Sequence, residues 1–370
     1  MKTALVIGGT GPTGPFIVNG MLERGYKTAV LNRGVHDTPE IPSSVERIVG
    51  DPHFQETLAE ALKGRTFDVV IATYGRIRYV ADVLTNHTGR LITIGGSPGI
   101  KGNRQPEILF PEGQRTPTPE DAPRVATIEE FKFGYLARIS EDAVFEAHAA
   151  GHYVATHFRY PLIYGPRQLR PAEWHVMQRI KDGRPHIVLP DSGLTLISRG
   201  YSRNMAEAVL LAVDQPERAS GQLYHCGDVH QLTLAQWVQV VAQAMDCSLD
   251  VISVPGAFAY PARDIMINRK TSHHQFFDLH KIRAELGYVD LVPTMDALRD
   301  TVQWYLNNPP QVSAQELENL HAHYATEDAM VSLHGEMVER LSAIPHIDPD
   351  YQHPYAHPKK PGQGGDHRGR

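Results

Sequence analysis

The stretch Val6-Ile7-Gly8-Gly9-Thr10-Gly11-Pro12-Thr13-Gly14 decides the fold. Ala4 and Leu5 lead into it as a short apolar run, and Pro15-Phe16-Ile17-Val18 leave it. Beyond the glycines the pattern turns helical, because Phe16, Ile17, Gly20, Met21 and Leu22 fall at spacings of three and four. Strand, glycine turn and helix form the context in which such a motif points to a dinucleotide. The glycines are spaced Gly8-x-x-Gly11-x-x-Gly14. The first permits a tight turn, the second lets backbone approach a pyrophosphate, and the third lets the helix pack on the strand. Unpaired N–H groups and a partial positive charge at the helix N-terminus suit phosphates.

Further strands and helices alternate outward from this unit. Residues 28–33 read as a second strand ending in Asn32 and Arg33. An acidic residue there would bind the ribose hydroxyls, whereas a guanidinium can hold a 2′-phosphate bidentately. The expected cofactor is therefore NADP, with NAD as the alternative and Asp37 close by as the opposing feature. Residues 45–50 give a third strand that ends in Gly50-Asp51-Pro52, and Phe54 to Leu62 an amphipathic helix. Phe67 to Ala72 is a fourth strand, with Thr73-Tyr74-Gly75 at its carboxyl end, where ligands collect in open α/β sheets. Arg90 to Ile94 is a fifth, followed by Gly95-Gly96-Ser97-Pro98-Gly99. The alternation implies a parallel sheet with right-handed crossovers. Residues 100–125 suit a surface loop over the site, 127–150 a long helix, and 153–158 a strand leading into Arg159-Tyr160-Pro161-Leu162-Ile163-Tyr164-Gly165-Pro166-Arg167.

The glycine spacing and the Arg159–Arg167 segment resemble those of extended short-chain dehydrogenases/reductases, the branch of the NAD-dependent epimerases and dehydratases. Later landmarks are similar and occur in the same order: Gly200 to Val209, Gly221 to Asp228, and Phe277 to Tyr288. The resemblance covers roughly residues 1–308. It implies an α/β fold, a Rossmann-type doubly wound parallel sheet with a smaller C-terminal substrate lobe. Residues 1–165 would form the nucleotide domain and 166–308 the lobe, interleaved with the last sheet crossovers. The cofactor set it implies is Gly8, Thr10, Gly11, Pro12, Thr13, Gly14, Asn32, Arg33, Asp51, Ala72, Thr73, Tyr74, Gly95, Tyr160, Pro161 and Ile163. In the family an aspartate at the position of Asp51 meets the adenine edge; Asp-Pro is equally a common turn initiator. Substrate would lie against residues 166–200 and 229–275, with Arg167, Arg170, Trp174 and His175 in the wall. A homodimer is also implied.

Residues 309–344 depart from the family's usual end. Leu317, Leu320, Tyr324, Met330, Leu333, Met337 and Leu341 give a helical extension that would cap the domain or join a dimer. Residues 345–370, rich in Pro, His and Gly, read as an extended or disordered tail.

The family's Ser-Tyr-Lys triad is absent or displaced. Its lysine is commonly followed four positions later by a glutamate. Matching Glu141 to that glutamate puts Ala137 at the lysine and Phe133 at the tyrosine. The other register puts Tyr135 at the tyrosine, Ile139 at the lysine, and Arg138 nearby as a positive charge. At the serine position stands Gly95-Gly96, with Ser97 one step later. The candidate acid–base and orienting residues are therefore Tyr135, Tyr74, Tyr164 and Ser97. His148, His152 and His157 fall away from the expected site.

Composition bounds the rest. The formal net charge of −6 gives no basic balance for nucleic acid. Two cysteines, Cys226 and Cys247, suit a reducing compartment, and twenty scattered histidines make no metal motif. With no apolar run of membrane-spanning length and no secretory pattern, the expectation is a cytoplasmic protein with a small-molecule substrate, no membrane or nucleic-acid partner, and no metal. The expected function is an NAD(P)-binding, epimerase/dehydratase-like oxidoreductase with an atypical site. A non-redox lyase or isomerase on the same fold, or a non-catalytic NADP sensor, are the alternatives.

Overall fold

The computed structural model describes residues 1–35, 38–266, 271–348 and 361–362; Asp37 and most of the tail lie outside them. In chain order the first half runs β1 (Thr3–Ile7), α1 (Gly14–Glu23), β2 (Lys27–Asn32), β3 (Glu46–Val49), α2 (Gln55–Leu62), β4 (Val69–Ala72), α3 (Ile77–Val83), β5 (Arg90–Gly96), α4 (Ile128–Ala149) and β6 (Val154–Tyr160). The second half runs β7 (Leu162–Tyr164), α5 (Ala172–Lys181), β8 (His186–Pro190), β9 (Arg199–Tyr201), α6 (Ser202–Asp214), β10 (Gln222–His225), α7 (Leu234–Gln243), β11 (Asp250–Val254), α8 (His280–Leu286), α9 (Thr294–Asn307) and α10 (Ala314–Ser342).

Seven strands form one sheet in the order β10-β6-β5-β4-β1-β2-β3, each pairing parallel with its neighbours. The order reverses at β1, which lies between β4 and β2 with Ile7 opposite Ala72 and Leu31. In such sheets the reversal opens a crevice at the strands' carboxyl ends. Continuous apolar runs explain the burial of β1 and β4, which are covered on both faces. One core, including Val6, Ile17, Met21, Val209 and Ile282, lies under α1, α6 and α8. The other, including Leu5, Leu58, Val80 and Val144, lies under α2, α3 and α4.

A third core belongs to the lobe and gathers Trp174, Leu189, Trp237, Val302 and Tyr305 around two short parallel pairs, β11-β8 and β7-β9. The segment 202–225 returns to the sheet: Gly20 of α1 faces Leu210 of α6, and β10 extends the sheet beyond β6. The loop 100–125 is pinned where Thr118 donates to the Phe276 carbonyl at 2.6 Å and accepts from the Asp278 amide at 2.8 Å.

Helix α10 starts at a reciprocal cap. Ser313 accepts from the Glu316 amide, and the Glu316 carboxylate accepts from Ser313. Its first half caps the lobe through Glu327, which is fully buried and takes two hydrogen bonds from Arg179 of α5. Its second half leaves Leu333, Met337 and Leu341 exposed.

Candidate active site

The glycine loop divides its work among three positions. Gly8 has φ +101°, and a Cβ there would stand 2.4 Å from the Thr73 hydroxyl. A Cβ on Gly14 would stand 2.2 Å from the Gly9 carbonyl carbon, so this residue lets α1 seat against the loop. A Cβ on Gly11 would meet no protein atom within 4 Å. Two glycines are therefore required by the protein's own packing, whereas Gly11 faces open space. That space is a cavity of about 560 Å³, with Gly8, Thr10, Gly11, Pro12 and Thr13 in one wall. Ile94, Tyr160, Ile163, Arg167, Leu169 and Trp304 stand in the wall, from later in the chain.

Asn32, Arg33, Gly34, Val35, Thr73 and Tyr74 also line this cavity. The Asn32 side-chain oxygen accepts from the Gly34 amide at 2.8 Å, shaping the turn after β2. The exposed Arg33 guanidinium lies 5.7 Å from the centre of the Tyr74 ring. His53 meets Tyr74 edge-on at 4.7 Å. Asp51 accepts from the His53 amide and pairs with its ring, each at 3.0 Å. The His53 amide bond leads the causes that hold the Asp51 carboxyl below its usual range, and the charge of Arg33 adds to them.

At the other side, the Tyr160 hydroxyl donates to the Met205 carbonyl at 3.0 Å. Gly165 and Arg167 both take left-handed φ, +119° and +66°. The turn is held by Tyr305 of α9, whose hydroxyl donates to the Gly165 carbonyl at 3.0 Å and accepts from the Gln168 amide at 3.1 Å. Arg167 reaches across the mouth to Glu40, with Nε 2.9 Å from the carboxylate.

The acid–base candidates do not converge. Glu141 of α4 and Arg159 of β6 form a buried bidentate pair, with both hydrogen bonds at 2.7 Å. Burial pushes the Glu141 carboxyl up, but the Arg159 hydrogen bonds and nearby charges outweigh it and hold the group below its usual range. This pair joins α4 to β6 and commits Glu141, the residue on which one of the two registers is aligned, to Arg159. Phe133 is 61% exposed. Tyr135 is half-buried with the Arg138 guanidinium 4.9 Å from its ring centre, and Arg138 pairs in turn with Asp142. Ser97 starts a short turn after β5. Tyr164, placed among the candidates by sequence, is buried and donates to Asp228 at 2.6 Å. Burial leads the causes that raise this phenol well above its ordinary value. Its hydroxyl is committed to the interior, because Asp228 also accepts from the Tyr201 amide and Asn204 and ties β9 and α6 to the strand end. Tyr74 alone of the four lines the cavity, where it is grouped with Arg33 and His53.

Asp51 and Arg33 share a shallow depression beside the main cavity. Gly14, Ala72, Gly95 and Pro161 shape strand and loop without lining the cavity. His157 is buried against Thr93 at 2.7 Å and lies 3.7 Å from Glu141. Burial leads the causes that push it down to about 4. The sequence reading missed Gly34, Val35, Ile94, Gln168, Leu169 and Trp304 in the cavity wall. Trp304 comes from α9 and carries no motif that could have marked it. Among the described residues no group of three or more His, Cys, Asp or Glu could hold a metal ion. Among them, too, no helix is long and apolar enough to cross a membrane.

The switch point, the glycine loop at α1 and the lobe beyond β6 define a Rossmann-type, doubly wound fold with its crevice at the carboxyl ends of the strands. Residues 109–227 match the model of the NAD dependent epimerase/dehydratase family, and the fold is that of solved epimerases and dehydratases. Among solved structures it is similar to a UDP-glucose 4-epimerase from Thermotoga maritima, in complex with UDP-glucose. The TM-score is 0.66 at 16% identity, over 83% of this chain and 99% of that one. A dTDP-glucose 4,6-dehydratase from Bacillus anthracis in complex with NAD matches at TM-score 0.64 and 16% identity, over 84% and 98%. A UDP-glucuronic acid 4-epimerase from Bacillus cereus, in complex with UDP-glucuronic acid and NAD, matches at TM-score 0.64 and 16% identity, over 83% and 100%. No curated protein matches the chain in sequence.

Proposed function

We propose that this protein binds NADP(H) in the 560 Å³ cavity and acts as an atypical epimerase/dehydratase-like oxidoreductase on a small molecule. The observation that carries the reading is Gly11, whose missing side chain opens onto the cavity at the N-terminus of α1. Gly11, Pro12 and Thr13 would hold the pyrophosphate, with Tyr160 and Ile163 toward the nicotinamide and Asp51 with Tyr74 toward the adenine. Arg33 would take the 2′-phosphate, because β2 ends at Asn32 and is followed by Arg33 rather than by a carboxylate. When bound, the cofactor would supply reversible hydride exchange with a substrate carbon. The chain's contribution is to orient the two reactants, while the proton passes through a group other than the family's tyrosine. Tyr135 of α4, with Arg138 as its nearby charge, is the candidate for that role from the sequence, and it stands outside the lining of the cavity. Ser97 is the candidate for orienting substrate. A cytoplasmic location accords with the free thiol of the exposed Cys247.

Calorimetric titration of NADP⁺ and NAD⁺ into wild type and Arg33→Ala tests the cofactor assignment. A charge-assisted contact to phosphate is worth about 1.5–3 kcal/mol, of which an exposed arginine delivers the lower end. NADP⁺ affinity should fall at least tenfold, with NAD⁺ affinity within twofold of wild type. Equal losses for both nucleotides would remove Arg33 from the 2′-phosphate. A second reading is a non-catalytic NADP sensor, favoured by the Phe133 and Ala137 register. Turnover of NADPH across a panel of carbonyls separates the two. Loss of turnover in Tyr135→Phe would support the acid–base role, and unchanged turnover would remove Tyr135 from the mechanism.

A further inference from the structure

A second cavity, of about 370 Å³, adjoins the first at Leu169, which lines both. It lies between α5 and the start of α10, so the C-terminal extension completes it. Its apolar surface comes from Leu169, Pro171, Trp174, Val312 and Leu320. Its uncharged polar groups include Gln178, Gln311 and Asn319. Trp174 is 8% exposed, and its indole Nε1 is buried with no hydrogen-bond partner. A buried N–H of this kind asks for an acceptor.

The charged groups of this cavity do not make an anion site. One guanidinium, Arg170, lines it together with two carboxylates, Asp264 and Glu316, and two imidazoles, His175 and His323. The carboxyl of Glu316 is held below its usual range by the Ser313 amide first, with Arg170 and His175 adding to it. Three other arginines of the lobe are spent elsewhere. Arg179 holds Glu327, Arg184 holds Asp328, and Arg199 lies buried over the Trp237 ring at 4.1 Å with Nη2 on the Ile265 carbonyl. A diphosphate brought here would meet a single guanidinium beside two carboxylates and find no pair of guanidinium groups in the lining, a costly position for a desolvated anion.

We infer that the second cavity is the substrate subsite and that it takes an uncharged amphipathic molecule, with a flat apolar body and a carbonyl or hydroxyl group, rather than a nucleoside diphosphate-sugar. This rests on the proposed cofactor site in the adjoining cavity. The apolar body would lie among Leu169, Trp174 and Leu320, and the oxygen would accept from the Trp174 indole or a side-chain amide. The size of the cavity falls in the range of sites for small organic ligands.

The test measures binding of 2-naphthylmethanol, UDP-glucose and UDP by ligand-observed NMR, on the full chain and on Asn319→Phe. Asn319 is exposed on α10, so a phenyl group there narrows the cavity without entering the core. The expected result is submillimolar binding of 2-naphthylmethanol, at least tenfold tighter than either uridine nucleotide and at least tenfold weakened in Asn319→Phe. Tighter binding of UDP-glucose, no binding of the naphthyl probe, or naphthyl binding indifferent to Asn319→Phe would each overturn the inference. The NADP⁺ thermal shift is measured on the same two proteins. It should be equal in both, and its absence from both would count against the cofactor site while leaving the naphthyl result to judge the subsite.

Discussion

Replacing Glu141 by Leu would leave Arg159 as an uncompensated charge in the interior. The two side chains are 3% and 1% exposed, and both hydrogen bonds between them are 2.7 Å long. Removing one partner of such a pair typically costs 3–5 kcal/mol, most of it the penalty on the charge left behind. With unfolding entropy of roughly 2 cal/mol/K per residue over 370 residues, this lowers Tm by roughly 4–6 °C. Removing both charges should be milder, because paired replacement by apolar groups is often near neutral. The double variant Glu141→Leu with Arg159→Met should regain at least half of the loss. It would not regain all of it, because Arg159 also donates to the Glu120 carbonyl and touches the His225 ring. Differential scanning calorimetry on the four proteins of this cycle gives the coupling directly. A single-variant Tm within about 1 °C of wild type, or a double variant worse than the sum of the singles, would refute the idea that this pair fixes α4 against β6.

Three other expectations follow from particular positions. Gly11→Ala should leave Tm nearly unchanged and weaken nucleotide binding at least tenfold, because its methyl group meets cavity and no protein atom. Gly14→Ala should lower stability by about 1–3 kcal/mol as well, because its methyl group meets the Gly9 backbone; urea unfolding and calorimetry on the pair would show no such contrast if the loop did not work this way. His157 has its folded value depressed by burial to about 4, so its contribution to stability is present above about pH 6.5 and lost as pH falls toward 4. Relative to His157→Gln, wild type should lose about 1.4 kcal/mol per pH unit in that window, and parallel urea-unfolding profiles at pH 7, 6 and 5 would contradict the buried neutral histidine.

The sheet was legible because β1 from Ala4 onward and all of β4 are apolar and the glycines follow β1 directly. In α4 the sequence offered two alignments, one on Glu141 and one on Tyr135, and it gave no sign that Glu141 is committed to a buried pair with Arg159. The chemistry of single tyrosines was not legible. Tyr164 stands at a strand end beside the expected pocket, but its partner Asp228 lies 64 residues onward. Tyr74 follows a strand at the ligand-facing edge, yet what it meets is His53, from the neighbouring crossover. The far wall was beyond sequence reasoning, because Trp304 and Tyr305 reach the Gly165–Gln168 turn from a helix with no motif of its own. The extension was legible as a helix, whereas its role as a cavity wall depends on Arg179 finding Glu327 across 148 residues.

The central claim is an NADP site at the glycine loop, and a thermal-shift titration with NADP⁺, NADPH, NAD⁺ and NADH tests it most directly. The protein must first be freed of copurified nucleotide. A ligand that binds only the folded chain raises Tm by mass action, worth about 2.7 kcal/mol at one hundred times Kd. The account predicts a clear rise with both NADP forms and a smaller rise with both NAD forms at equal concentration. No rise with any of the four would contradict the cofactor site itself, and a larger rise with NAD would contradict the role given to Arg33.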